Sequence, residues 1–289
     1  MTSAGANSED LQRRPIGVFD SGLGGLTVVR ELLGRMPGQD IVYLGDSARV
    51  PYGTKSLETV RRFAREDAAF LLRFNPKMIV VACNTASAAA LEALEESCPV
   101  EVVGVIRPGV RAAIELTGGR IGVIATEATI ASGAYTRAIA SLDRDRQVMA
   151  VSCPLLVPIV EEGRSEDDPI VLHVLTDYLR GLQRFRVSAL ILGCTHYPLL
   201  SRAIGKLMGP DVELVSSGAA AAEEVASRLA RVPVRPASQA PGTLRCYTTD
   251  NPQRFAILGE RFGGRKIDRV EYVGTDELET RPAESLREM

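Results

Sequence analysis

The fold is decided by the stretch Met78-Ile79-Val80-Val81-Ala82-Cys83-Asn84-Thr85, which has a counterpart at Ala189-Leu190-Ile191-Leu192-Gly193-Cys194-Thr195-His196. In each stretch a short apolar run is followed by one small residue, a cysteine and two polar residues, and a helical pattern comes next. Short apolar runs that alternate with helical patterns are typical of buried strands in a parallel sheet. The repeated context therefore predicts two similar α/β units.

Both cysteines come directly after a predicted strand. Ligands of open α/β sheets bind outside the carboxyl ends of the strands, so Cys83 and Cys194 are candidates for one shared ligand site. A helix N-terminus lowers a thiol pKa, and two such thiols could act as an acid/base pair. Simple packing stays open as the alternative for a cysteine at the end of a buried strand. The other three cysteines lack this context, and we interpret them as ordinary core or loop residues: Cys98, Cys153 and Cys246.

The composition restricts the possible functions. A chain of 289 residues with 45% apolar residues suits about two domains, each with a full core. The net charge of -2 and the lack of a basic tract argue against nucleic acid or an anionic membrane as a partner. There is no CxxC pair, and His173 and His196 are the only histidines, which argues against a Cys/His metal site. Without a signal core or an apolar run of ~20 residues, we expect a cytoplasmic protein with free thiols.

Strands and helical patterns alternate along the whole chain, which predicts mostly parallel sheets. The segment Arg107-Pro108-Gly109 is interpreted as the crossing point between two α/β series. Residues 1–14 and about 275–289 are predicted to be mobile tails, and Pro233 to Pro241 a proline-rich connector. The predicted strands are 16–19, 41–44, the run before Cys83, 102–105, 121–125, 148–151, the run before Cys194, 212–215 and 244–248.

The first predicted strand ends in the loop Asp20-Ser21-Gly22-Leu23-Gly24-Gly25, which has three interpretations. It partly matches a dinucleotide fingerprint, and Asp46 follows at about the sequence separation expected for the acidic residue that binds the ribose. However, Thr27 replaces the third glycine of the fingerprint. It can be a tight turn that allows close helix packing. It can also hold a small anion such as a carboxylate on its N–H groups, with Asp20 bonded to an ammonium group. We favour the small anion over the dinucleotide.

Three further polar segments are candidates for the site. Asp46 and Tyr52-Gly53 lie in a loop too polar for the core, where they either contact a ligand or form an ordinary turn. Glu161-Glu162 is either a solvated charge pair or a source of one carboxylate beside a thiol. His196 lies two residues after Cys194 and could tune that thiol, with simple loop hydrogen bonding as the alternative.

Together these residues resemble the glutamate racemase family, within the cofactor-independent aspartate/glutamate racemases. The likeness runs from about residue 16 to residue 230. The matching stretches are Gly17-Val18-Phe19-Asp20-Ser21-Gly22-Leu23-Gly24-Gly25, Gly45-Asp46-Ser47-Ala48-Arg49, Pro51-Tyr52-Gly53, Ala82-Cys83-Asn84-Thr85-Ala86, Gly104-Val105-Ile106 and Gly193-Cys194-Thr195-His196-Tyr197-Pro198.

The resemblance implies an isomerase that interconverts L- and D-glutamate without cofactor or metal and supplies D-glutamate for peptidoglycan. It implies that Cys83 and Cys194 are the two catalytic bases. The residues that would assist them are Asp20, Asp46, Glu161 (chosen over Glu162) and His196. The residues that would bind substrate are Asp20, Ser21, Tyr52, Gly53, Asn84, Thr85, Thr195 and His196.

The resemblance also implies the architecture. We expect two similar three-layer α/β domains with mostly parallel sheets, related by a pseudo-twofold axis, with the active site in the cleft between them. The expected domains are 1–107 plus 217–289, and 108–216. A homodimer is also expected. Two alternatives stay open: a racemase for aspartate or another amino acid, and a non-catalytic or regulatory binding protein, since some members of the family also bind DNA gyrase.

Overall fold

The structure is a computed structural model that describes residues 13–230 and 241–279. Its strands form one sheet of six strands and one of four. The strands are β1 (Ile16–Asp20), β2 (Ile41–Gly45), β3 (Met78–Val81), β4 (Glu101–Gly104), β5 (Arg120–Ala125), β6 (Val148–Ser152), β7 (Val187–Gly193), β8 (Glu213–Ser216), β9 (Leu244–Thr248) and β10 (Val270–Tyr272).

At least one helix lies between every two consecutive strands, as parallel pairing requires. The α-helices are α1 (Leu26–Arg35), α2 (Leu57–Leu72), α3 (Asn84–Ser97), α4 (Ile106–Leu116), α5 (Glu127–Ala131), α6 (Ala134–Leu142), α7 (Leu156–Glu161), α8 (Pro169–Phe185), α9 (Ser201–Met208), α10 (Ser217–Ala230), α11 (Pro252–Gly263) and α12 (Thr275–Glu279). No helix in the described part of the chain is long and apolar enough to cross a membrane.

The strand order of the first sheet is repeated in the second. The larger sheet has the order β10-β9-β2-β1-β3-β4, and the smaller has β6-β5-β7-β8, with parallel pairing throughout. The unit β2-β1-β3-β4 therefore recurs as β6-β5-β7-β8. Residues of β1, β2 and β3 are buried throughout, as expected for a parallel sheet covered by helices on both faces. The predicted fold class, two similar α/β units with parallel sheets, is confirmed.

The chain passes between the two sheets through helices. The segment Arg107-Pro108-Gly109, expected to be a crossing point, lies inside the first turn of α4, where a proline is tolerated because the backbone N–H there needs no helical partner. A Cβ on Gly109 would lie 3.2 Å from the Cα of Ser217, so α4 and α10 approach closely. One hydrophobic cluster, which includes Val18 and Leu190, continues from the first sheet into the second.

The C-terminal segment differs in part from its prediction. After α10, β9 and β10 join the first sheet beside β2, and β10 has no counterpart among the predicted strands. Thr275–Glu279, expected to belong to a mobile tail, forms α12, and the Leu278 side chain is buried in a hydrophobic cluster that also contains Phe19 and Val42 of the first sheet. Residues 1–12, 231–240 and 280–289, which hold most of the predicted tails and connector, lie outside the described residues. The predicted domain boundaries stay a prediction.

Candidate active site

A cavity lies where loops at the carboxyl ends of the two sheets meet. Because the strands of each sheet are parallel, the loops after β1, β2 and β3 share one edge, and those after β5, β6 and β7 share the other. The predicted site residues that line the cavity are Ser21, Tyr52, Gly53, Cys83, Asn84, Thr85, Cys194, Thr195 and His196. The lining residues that the sequence did not single out for the site are Val50, Pro51, Thr126 and Val157.

Cys83 is buried at the N-cap of α3. Its sulfur accepts a hydrogen bond from the Ala86 amide at 3.5 Å and lies 3.8 Å from the Ser21 hydroxyl. Burial raises the pKa of the Cys83 thiol to about 12, and the negative charge of Asp20 adds to that rise. The Ala86 amide at the helix N-terminus lowers this pKa, as expected, but loss of water around the sulfur outweighs that one long contact, so the net shift is upward.

Cys194 has a different environment, although it follows the strand that corresponds to β3. A 3-10 turn, Tyr197–Leu200, separates it from α9, so no regular α-helix begins beside the thiol as it does at Cys83. The Nδ1 atom of His196 lies 3.8 Å from the Cys194 sulfur. The partner of this thiol is therefore an imidazole ring.

His196 links Cys194 to a carboxylate. Its Nε2 atom lies 3.0 Å from Oε1 of Glu161, the last residue of α7. Burial by itself lowers the pKa of His196, but the hydrogen bonds to Cys194 and Glu161 outweigh burial and raise the pKa from 6.5 to about 10. The ring is therefore protonated at neutral pH. Glu162 is exposed, so of the two adjacent carboxylates it is Glu161 that reaches the site.

Asp20 is fully buried behind the cavity wall. The amide of Gly22 donates to its Oδ2 atom at 3.1 Å, and the Thr195 hydroxyl lies 3.5 Å from its Oδ1 atom. Burial raises the pKa of the Asp20 carboxyl, and the charge of His196 opposes that rise. The Gly22 amide of the loop, which could have held a carboxylate of a small ligand, thus binds the carboxylate of Asp20 instead.

The glycines of the same loop allow a close approach between the two units. A Cβ on Gly24 would overlap the side chains of Thr195 and His196. The hydroxyl of Thr27 donates to the Thr195 carbonyl at 2.9 Å. This contact leaves no space at Gly24 for a pyrophosphate, which favours the close-packing interpretation of the loop over the dinucleotide interpretation.

Asp46 lies beside the cavity wall rather than in its lining. Its carboxylate accepts hydrogen bonds from the Tyr52 hydroxyl, from Arg49 at 2.6 Å and from Thr249 at 2.9 Å. Asp67, which the sequence did not single out, lies 3.0 Å from the same hydroxyl and 3.2 Å from Arg49. Asp46 therefore contacts a residue of the wall, whereas the prediction placed it as a partner of the thiols.

Asn84 presents an unused donor at the cavity. Its Oδ1 atom accepts hydrogen bonds from the hydroxyls of Tyr135 at 2.6 Å and Ser217 at 3.3 Å. Its Nδ2 atom is buried and has no hydrogen-bond partner among the described residues. A buried amide donor without a partner costs about 1–3 kcal/mol, so this group is suited to bind a ligand oxygen.

Hydroxyl groups from both units meet beside Asn84. The Thr85 hydroxyl lies 3.0 Å from that of Thr126 and 3.0 Å from that of Thr129. Thr126 directly follows β5, so the rule that places ligand contacts at strand tips could have identified it from the sequence. Thr129 lies in the first turn of α5, away from the strand tip, so that rule does not identify it from the sequence.

The site is thus built for acid/base chemistry. Two thiols from equivalent strands of a repeated unit line one cavity, near enough to interact electrostatically, with hydroxyl and amide groups between the units. In the described ranges, no cluster of three or more His, Cys, Asp or Glu side chains could hold a metal ion. The fold and the site therefore define a two-unit α/β protein with two thiols in one cavity at the carboxyl ends of its sheets.

Comparisons with known proteins show which family the chain belongs to. Residues 26–225 match the family model for Asp/Glu/Hydantoin racemase. The chain is 47% identical to the glutamate racemase of Geobacter metallireducens over 91% of this chain and 97% of that protein. The glutamate racemase of Bacillus anthracis superposes with a TM-score of 0.86 at 42% identity, covering 91% and 98% of the two chains.

A further solved structure, the glutamate racemase of Francisella tularensis in complex with D-glutamate, has a TM-score of 0.86 at 39% identity and covers 93% of this chain and 100% of that one. The chain belongs to the Asp/Glu/Hydantoin racemase family. The family assigned by the resemblance is confirmed.

Proposed function

We propose that the protein is a glutamate racemase that removes the α-proton with one thiol and returns a proton with the other. The observation that carries the proposal is the placement of Cys83 and Cys194 after equivalent strands of two repeated units, both lining one cavity. The similarity to glutamate racemases along nearly their full length supports glutamate as the substrate. Aspartate or another amino acid is the alternative substrate.

Two bases are the simplest arrangement for racemisation. The α-proton leaves from one face of the substrate and a proton arrives on the opposite face, so one thiol must start as thiolate and the other as thiol. An ordinary cysteine thiol has a pKa of ~8.5, and burial favours the thiol form at Cys83, so one thiol and one thiolate can coexist in the site. In our proposal the two groups exchange roles with the handedness of the substrate.

The carbanion formed between the two proton transfers must be stabilised by the site. Asn84, with its unpartnered Nδ2 donor, and Thr85 and Thr195, with their hydroxyls, line the cavity, where fixed dipoles can stabilise a developing charge. In our proposal these groups bind the substrate carboxylates and the developing negative charge. Ser21, Tyr52 and Gly53 complete the binding wall.

The charged side chains assist the two thiols differently. Protonated His196, held by Glu161, donates a hydrogen bond toward the Cys194 sulfur when that sulfur carries the negative charge. Asp20 lies near Cys83 and His196, where we propose that it attracts the substrate ammonium group. We assign to Asp46 an indirect role, in which it holds the Tyr52 side chain in the wall.

The test is exchange of the α-proton in deuterated water, followed by NMR with glutamate, aspartate and alanine. We expect exchange and racemisation with both enantiomers of glutamate and far slower exchange with the other two. Faster exchange with aspartate would assign the site to the aspartate alternative. If none of the three substrates exchanges, the non-catalytic binding alternative is favoured.

We further propose, from the resemblance, that the D-glutamate supplies peptidoglycan, that the enzyme works in the cytoplasm with reduced thiols, and that it forms a homodimer. The described cysteines are all free. A strain depleted of the enzyme should regain growth when D-glutamate is supplied, and failure to regain growth would contradict the peptidoglycan role. Light scattering of the purified protein tests the dimer.

A further inference from the structure

Helix α11 packs with the first sheet but also reaches the Glu161–His196 pair beside Cys194. The Phe262 ring lies edge-on against the His196 ring, with 5.2 Å between centroids and 80° between planes. The guanidinium of the adjacent residue, Arg261, donates to the Val160 carbonyl at 3.0 Å and to the Arg164 carbonyl at 2.7 Å. Two neighbouring residues of one helix therefore contact the His196 ring and the backbone on either side of Glu161.

The turn that carries Glu161 needs such support. Helix α7 has six residues and ends at Glu161. So short a helix is not stable by itself, and its last carbonyls carry partial negative charge. The Val160 carbonyl accepts the Gly163 amide at 3.0 Å as well as the Arg261 guanidinium. Gly163 has φ 81°, a left-handed conformation suited to glycine, and it turns the chain back so that the Arg164 carbonyl faces the same guanidinium as the Val160 carbonyl. Arg261 thus fixes the backbone on both sides of Glu161.

We propose that Arg261 is a positioning residue that holds the Glu161–His196 pair against Cys194, so that a helix of the first unit controls proton transfer at the thiol of the second. The proposal rests on the proposed racemase function. Its consequence is specific: loss of Arg261 should slow the proton transfer at Cys194 and leave the transfer at Cys83 nearly unchanged.

The variants are Arg261→Ala and Arg261→Lys, with Arg254→Ala as the control. Arg254 lies on the same helix and is exposed. Displacement of a catalytic group by about 1 Å can cost roughly a hundredfold in rate, so we expect kcat to fall about ten- to a hundredfold in Arg261→Ala. Lysine keeps a charged donor for one carbonyl and should recover part of the loss, and Arg254→Ala should keep the wild-type kcat.

Isotope effects separate this role from a general structural one. The two enantiomers are equally stable, so kcat/KM must stay equal in the two directions, but the primary isotope effects of α-deuterated L- and D-glutamate can differ. Slower transfer at Cys194 should increase the isotope effect for the enantiomer that Cys194 deprotonates and decrease it for the other. His196→Asn should shift the two effects in the same sense, and Ser21→Ala, on the Cys83 side, in the opposite sense.

Each outcome decides the proposal. An unequal shift in Arg261→Ala that matches the shift in His196→Asn supports it. A folded Arg261→Ala variant with unchanged isotope effects, or with equal changes for both enantiomers, overturns it. If Arg261→Ala does not fold, the isotope effects of Arg261→Lys decide by the same criteria. Wild-type protein without any exchange of glutamate would overturn the proposed function instead.

Discussion

The two thiol environments share a backbone plan and differ in their charges. Cys83 caps α3, a helix of 14 residues, and its immediate partners are a backbone amide and the Ser21 hydroxyl. Cys194 precedes a 3-10 turn and faces protonated His196, which Glu161 holds. The comparison teaches that the repeated strand order brings both sulfurs to the same cavity. The side chains beyond the strand tips differ between the two units, and they decide how well each sulfur is stabilised as a thiolate.

This asymmetry is compatible with racemisation. The equilibrium between two enantiomers requires equal kcat/KM in both directions, and it does not require equal barriers at the two bases. A site with a desolvated thiol on one side and a thiol beside an imidazolium on the other can therefore serve both substrates. The experiments below test each side separately.

The largest effect is expected from removal of either thiol. In Cys83→Ala or Cys194→Ala one of the two proton carriers is lost, and we expect racemisation to fall at least about a thousandfold, within the range for loss of a general acid or base. Circular dichroism with L- and D-glutamate measures the conversion. Cys98→Ala is the control, because Cys98 does not line the cavity. Full turnover in either of the first two variants would refute the two-thiol assignment.

A matched pair of carboxylates tests the Cys194 side. Glu161 lies 3.0 Å from His196, whereas Glu162, its neighbour in the chain, is exposed. We expect Glu161→Gln to lower kcat about tenfold or more, because the amide no longer favours the protonated ring, and Glu162→Gln to have the wild-type kcat. Equal losses in the two variants, or a loss only in Glu162→Gln, would contradict the assignment.

The wall on the Cys83 side is tested through Asp67. The Tyr52 hydroxyl has one proton and contacts both Asp46 and Asp67, so one of these carboxyls must donate to it. Burial and the charge of Asp46 raise the pKa of Asp67, and we therefore predict that Asp67 carries the shared proton.

We therefore expect Asp67→Asn, whose amide can also donate, to keep nearly normal KM for glutamate. Asp67→Leu should raise KM severalfold and destabilise the protein by about 1–3 kcal/mol through lost hydrogen bonds to buried groups. Steady-state kinetics and urea denaturation measure the two effects. An asparagine variant as impaired as the leucine variant would show that the negative charge of Asp67 is required.

A smaller effect concerns stability against pH. The pKa of His196 rises from 6.5 to about 10 on folding, so folding favours the protonated ring. The resulting stabilisation is complete below pH 6.5 and is lost as the pH rises to about 10. The free energy of unfolding of the wild type, relative to His196→Asn, should therefore decrease across this window. A difference that does not change with pH would contradict the protonated state.

No effect on activity is expected from metal removal, because in the proposed mechanism both sides of the site use protein groups alone. Activity with glutamate should survive dialysis against EDTA, and the purified enzyme should show no absorbance band beyond that of the protein. Loss of activity that returns when a divalent metal is added would contradict this mechanism.

Much of the site could be predicted from local patterns. The repeated run of apolar residues, small residue and cysteine is visible without any structure, and it placed Cys83 and Cys194 at equivalent strand tips because strand and helix periodicities are properties of the local chain. Thr195 and His196 adjoin Cys194 in the sequence and so were predicted together with it.

Only the tertiary structure decided which groups surround those sulfurs and in which charge state. The rise in the pKa of Cys83, the contact of Glu161 with His196, and the contacts of Asp67 and Arg261 all depend on residues far apart in the chain. Local sequence sets the direction of a side chain within its own strand or helix. Desolvation and charge at a site depend on what other segments pack against it, so they are settled only when the two units come together.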